Sequence, residues 1–105
     1  CKLIVVACNT ATTNAISLLR KNYEIPFIGI EPAIKPAALN SKTKAIGILA
    51  TKGTLTSELF NTTTSLYAHG LQVVEQVGEG LVELIEMGKV NSEEIKMLFQ
   101  NKRRT

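Results

Sequence analysis

The sequence predicts an α/β fold, a parallel sheet with helices on both faces, and three observations carry that expectation. Residues 3–7 form a short unbroken apolar run rich in β-branched side chains, and residues 45–50 form another, so both read as strands buried on both faces. Each run empties into small polar residues, Cys8-Asn9-Thr10 in one case and Thr51-Lys52-Gly53-Thr54 in the other, where a helix should begin. Strands alternate with helical segments along the whole chain, the arrangement in which crossovers join parallel strands.

Taken in order, the first strand stops at Cys8. Asn9 and Thr10 offer side-chain oxygens for a helix cap, and Ala11, Ala15, Leu18 and Leu19 recur on one helical face as far as about Asn22. Residues 25–30 read as a second strand with Pro26 at its entry, where a missing N–H is tolerated. Glu31-Pro32 breaks it, and a short helix follows with Pro32 near its first turn. Residues 40–44 are a polar loop, the place for the chain to cross if the whole protein has two lobes. After the third strand a helix over 55–68 is expected, with Leu55, Leu59, Leu66 and Tyr67 inward and three threonines at 62–64 lowering its propensity. His69-Gly70 should cap it, and residues 71–74 form a fourth strand. Gly80 precedes a helix with Leu81, Leu84 and Ile85 on one face, closing at Gly88. Asn91 and Glu94 have the spacing of a capping box before a last helix carrying Ile95, Leu98 and Phe99. The sequence holds no fixed-period repeat and no low-complexity tract.

At 105 residues the chain is long enough for one small domain. An apolar share of 45% and a charged share of 20% are those of an ordinary globular protein, and no apolar run is long enough to cross a bilayer, so no membrane partner is expected and a cytoplasmic setting is the default. The net charge of +3 equals the contribution of Lys102, Arg103 and Arg104, which leaves the body neutral. With aromatic residues at 5%, stacking platforms are lacking too, and nucleic-acid binding is not expected. The two cysteines, Cys1 and Cys8, have neither a metal-ligand spacing nor that of a disulfide framework, so no metal site is expected. Cys1 opens the sequence without a Met before it and a strand begins almost at once, so the chain is expected to be an excised piece of something longer.

Candidate chemistry gathers at the strand-to-helix turns. In an open α/β sheet the ligand crevice lies outside the carboxyl ends of the strands, where helix N-termini point free N–H groups and stabilise a carboxylate or a thiolate. Cys8 in that position is either a reactive thiol or a small apolar residue closing a strand. Thr51 and Thr54 either join Cys8 and Thr10 around a small anionic ligand or cap a helix and nothing more. Gly78-Glu79-Gly80 fails as a dinucleotide fingerprint because residue 83 is Glu83. His69, the single histidine, reads as a solvated cap residue, Asn61-Thr62-Thr63 as an uninformative glycosylation match, and Glu79, Glu83 and Glu86 as a solvated face.

Three stretches together carry a resemblance: Ile4-Val5-Val6-Ala7-Cys8-Asn9-Thr10-Ala11-Thr12, then Ile25-Pro26-Phe27-Ile28-Gly29-Ile30-Glu31-Pro32, then Gly47-Ile48-Leu49-Ala50-Thr51-Lys52-Gly53-Thr54. In order and spacing they resemble the middle of bacterial glutamate racemases, within the Asp/Glu racemase superfamily. The resemblance implies two flavodoxin-like α/β lobes, present here only in part, with residues 1–39 in the first lobe and 40–105 making most of the second. It implies a cofactor-independent enzyme, dimeric as a whole protein, that holds glutamate between the lobes, exchanges its α-proton between two cysteines and supplies D-glutamate for peptidoglycan. Cys8 matches the catalytic cysteine that deprotonates the D-enantiomer; Asn9, Thr10, Thr51 and Thr54 match substrate-binding positions. Glu86 matches a glutamate that assists proton transfer. The family's second cysteine does not occur before the chain ends at Thr105, and Cys1 is expected at the far end of the Cys8 strand, roughly 20 Å away. Lys52 also departs from a turn position that is often acidic in the family. On this reading the 105 residues alone do not racemise. A related aspartate or hydantoin racemase, a maleate isomerase relative, and a non-catalytic α/β binding module are the alternatives.

Overall fold

A computed structural model describes residues 1–102. Its elements run β1 (Ile4–Val6), α1 (Asn9–Asn22), β2 (Phe27–Gly29), α2 (Ile34–Asn40), β3 (Ala45–Ala50), α3 (Lys52–Leu55), α4 (Glu58–Tyr67), β4 (Gln72–Val77), α5 (Leu81–Glu86) and α6 (Glu93–Lys102). The α/β alternation and the parallel pairing are those expected. β1 pairs with β2 in the register Val5↔Ile28, and β3 pairs with β4 over six residues from Ala45↔Gln72 to Ala50↔Val77. Among the described residues the two pairs form separate sheets.

Burial departs from the expectation of strands covered on both faces. Along β3 exposed and half-buried residues alternate, and Val5, Ile28, Leu49 and Val74 are each about half exposed. The covered face of β3 and β4 packs Ile48, Ala50, Val73 and Val77 against a core of Ile34, Leu55, Phe60 and Ala68. On the opposite face Phe99 and Lys102 of α6 only border an open cavity of about 340 Å³ floored by Gly47, Leu49 and Val74. Two half-covered strand pairs side by side also account for a radius of gyration of 15.9 Å, against about 13 Å for a compact chain of this size. Ile34 of α2, a residue within 1–39, lies in the core built on β3 and β4.

Several local expectations are corrected. Cys8 itself, not Asn9 or Thr10, is the N-cap of α1. The inward face of α1 is Thr12, Thr13 and Ile16, while Ala11 and Leu18 are exposed. Threonines can line that face because their hydroxyls are bonded: Thr12 Oγ1 donates to the Val6 carbonyl and accepts from the Ile30 N–H, both at 3.1 Å, and Thr13 Oγ1 donates to the Asn9 carbonyl at 2.9 Å. The helix expected over 55–68 starts earlier, at Lys52, and is split. Ser57 donates to the Thr54 carbonyl at 2.7 Å and caps α4 by accepting from the Phe60 N–H, which starts a new helix where propensity alone would continue the old one. Leu66 and Tyr67 are exposed, α4 ends at Ala68 without using His69 as a cap, and the fourth strand runs on to Val77. Ser92 rather than Asn91 accepts from the Ile95 N–H at the start of α6, and Glu94 bonds Lys89 instead of closing a capping box. Arg103 and Arg104 of the basic end lie outside the described residues; Lys102 donates to the Val77 carbonyl at 2.7 Å.

Candidate functional site

β1 and β3 each deliver their last residue to a helix start, and the two turns meet. At the first, Cys8 has an extended backbone (φ −145°, ψ 124°), and its Sγ accepts from the Ala11 N–H at 3.4 Å. The thiol is exposed. The Cys8 carbonyl accepts the Thr12 N–H at 2.9 Å, so the turn is tied to the most buried residue of α1. Asn9, the first helical residue, is exposed, and Thr10 is half-buried.

At the second turn Thr51 is the N-cap of α3 and accepts from the Thr54 N–H at 3.3 Å. Thr10 Oγ1 lies 2.7 Å from Thr51 Oγ1 and 2.9 Å from Thr54 Oγ1, and the two α3 hydroxyls are 3.3 Å apart. Three hydroxyls from turns more than forty residues apart thus form one triangle. Thr54 is 1% exposed, so only Thr10 and Thr51 border open space. Gly53 sits against this cluster: a Cβ there would lie 3.1 Å from Thr10 Cγ2.

Of the residues singled out in the sequence, Thr10, Thr51 and Thr54 are brought into contact, with Cys8 and Asn9 immediately before Thr10 in the same turn. Glu86 is not joined to them. It is the exposed last residue of α5, and its side chain makes no hydrogen bond or ion pair with another described residue. The acidic residues beside the second turn are instead Glu79 and Glu83, which with Thr51, Lys52 and Gly80 line an open cavity of about 270 Å³ outside the carboxyl ends of β3 and β4. Gly80 starts α5 at φ 78°, a left-handed conformation that favours glycine, and this turns the chain back over the strand ends. Asn14 went unnoticed in the sequence. Its Nδ2 donates both to the Thr10 carbonyl at 2.8 Å and to the Gly53 carbonyl at 3.0 Å, and the available signal was an amide four residues after Thr10 on the same helical face.

The description of the Asp/Glu/hydantoin racemase family matches residues 1–102. The chain belongs to that family. It is similar to the glutamate racemase of Herpetosiphon aurantiacus, 51% identical over 92 residues that make up 88% of this chain and 36% of that protein. A crystal structure of Escherichia coli glutamate racemase with L-glutamate and the activator UDP-MurNAc-Ala superposes with a TM-score of 0.80 at 31% identity, over 99% of this chain and 41% of that one. The glutamate racemase isoform of Bacillus anthracis superposes with a TM-score of 0.68 at 30% identity, over 94% of this chain and 36% of that one. The chain therefore spans well under half the length of the racemases it matches. Within this racemase-family chain, the exposed Cys8 thiol and the hydroxyl triangle share one end of the strand pairs.

Proposed function

We propose that the whole protein carrying this chain interconverts L- and D-glutamate without a cofactor, through two cysteines of which Cys8 is one. The observation that carries the reading is an exposed thiol at the N-cap of α1, two residues before a hydroxyl bonded across to Thr51 and Thr54. The α-proton of an amino acid is a very weak acid, so its removal requires a positioned base in a site shielded from water, with donors that hold the substrate carboxylate beside that base. Cys8, as thiolate, takes the proton from Cα of the D-enantiomer. A thiol on the opposite face returns a proton to the same carbon, and in the reverse direction the roles exchange.

Cys1 does not suit the second role because it precedes β1 while Cys8 follows it. We place the partner cysteine in the part of the protein outside this chain, with residues 1–39 and 40–105 contributing to two lobes around the substrate. Asn9, Thr10, Thr51 and Thr54 form the substrate-binding set, the first three by facing the substrate. Thr54 is buried, so the hydroxyl that turns outward to substrate is that of Thr10 or Thr51, released when the longest edge of the triangle, the 3.3 Å contact between Thr51 and Thr54, gives way. Thr54 then acts by holding Thr10. Glu86 assists proton transfer once the remaining lobe covers α5. A cytoplasmic homodimer feeding D-glutamate to peptidoglycan completes the reading, by analogy with glutamate racemases.

The test is circular dichroism of L- and D-glutamate incubated with the whole protein, with L-aspartate alongside. Wild type should racemise glutamate, and Cys8→Ala should lower the rate by about 10²- to 10⁴-fold in both directions, as expected when a proton-transfer group is removed. A wild-type protein inactive on glutamate, or a Cys8→Ala variant at full rate, refutes the proposal. Activity on aspartate alone moves the substrate to that amino acid.

A further inference from the structure

We infer that Asn14 is a positioning residue for this reaction, a second tie that fixes the direction of the Thr51–Thr54 turn relative to Cys8; the inference rests on the racemase reading above. The side-chain amide has two N–H donors, and both are engaged, one by the Thr10 carbonyl of its own helix and one by the Gly53 carbonyl of α3. The orientation is forced, because a flipped amide would set its oxygen against two carbonyl oxygens. Asn14 and Thr10 are one turn apart on the same face of α1, about 6 Å along the axis. The Thr10 hydroxyl is the first tie to α3 and the Asn14 amide the second.

A single tie would leave α3 free to pivot about the hydroxyl triangle. Two ties set its direction, and the close approach of Gly53 to Thr10 Cγ2 leaves no room for a side chain between them. The outward-facing hydroxyl of the triangle is therefore aimed from the same helix that carries Cys8. Because Asn14 is exposed, its loss should loosen this aim without unfolding α1.

The experiment measures steady-state racemisation of L- and D-glutamate by the whole protein as wild type, Asn14→Ala and Asn14→Asp, with thermal unfolding alongside. Removal of one cross-turn hydrogen bond should raise KM about fivefold in Asn14→Ala, with kcat within about twofold, because contacts shared by ground and transition states set KM. Asn14→Asp should raise KM further, since its carboxylate would face both carbonyls. Unfolding temperatures should stay within about 2 °C of wild type. An active wild type with KM unchanged in both variants overturns the inference and leaves the racemase reading standing. A fall in kcat at constant KM, which loss of folded enzyme alone would produce, also overturns it. An inactive wild type removes the racemase reading and this inference with it.

Discussion

Gly29→Ala provides the sharpest test of how the Cys8 turn is held. Gly29 ends β2 beneath the first turns of α1, and a Cβ there would lie 2.6 Å from Thr12 Cγ2 and 3.4 Å from Ile16 Cδ1. Thr12 is fully buried and its hydroxyl is bonded to both the Val6 carbonyl and the Ile30 N–H, so its methyl cannot swing aside without breaking those bonds. Overpacking of this kind costs about 1–3 kcal/mol, and the bound hydroxyl puts this site near the upper end. Replacing glycine by alanine also narrows the unfolded ensemble, which offsets about 0.4–1 kcal/mol. The net loss should be about 2 kcal/mol. Thr12→Ser keeps the hydroxyl and deletes the obstructing methyl, at a cost of about 1 kcal/mol for the lost buried group. In the Thr12→Ser background the new Cβ occupies the vacated volume, so Gly29→Ala should become nearly neutral, with a coupling of about 2 kcal/mol between the two sites. Urea unfolding of the four proteins of this cycle measures it. A coupling below about 0.5 kcal/mol, or a single Gly29→Ala variant as stable as wild type, would refute the packing argument.

Two further outcomes follow from local geometry. Ser57→Ala removes both the N-cap of α4 and the bond to the Thr54 carbonyl, so it should lower stability by about 1–2 kcal/mol in thermal unfolding; an unchanged midpoint would mean that the break between α3 and α4 does not depend on this side chain. The hydrogen bond from Lys89 at 2.9 Å, aided by Ser92, holds the Glu94 carboxyl below its usual range. A depressed carboxylate pKa stabilises the folded state above the unfolded-state value, and that contribution is lost as pH falls through the folded-state value. Glu94→Gln should flatten this small acid-side loss, high salt should shrink it, and parallel pH–stability profiles for the two proteins would contradict the assignment.

The parts legible in the sequence were those set by neighbours along the chain. The apolar runs before Cys8 and Thr51 identified β1 and β3, and the polar residues that stop them located both turns. Legibility failed where a distant contact outweighed local preference. Alanines and leucines at helical spacing suggested the inward face of α1, yet threonines occupy it because Val6 and Ile30 supply partners for the Thr12 hydroxyl. The helix over 55–68 was split by a hydroxyl whose effect depends on reaching the Thr54 carbonyl. For Glu86 a motif match supplied a role beside the family's second cysteine, which this chain does not contain, and within the chain its side chain is exposed and apart from the hydroxyls.

By itself the sequence determined which residue types stand at the ends of β1 and β3, because strand termination and helix initiation are decided within a few residues. Only the tertiary structure decided that Thr10 meets Thr51 and Thr54, and that Asn14 reaches Gly53. Contacts across some forty residues depend on how the two strand pairs pack through α1, α3 and α4, and no local periodicity encodes that geometry.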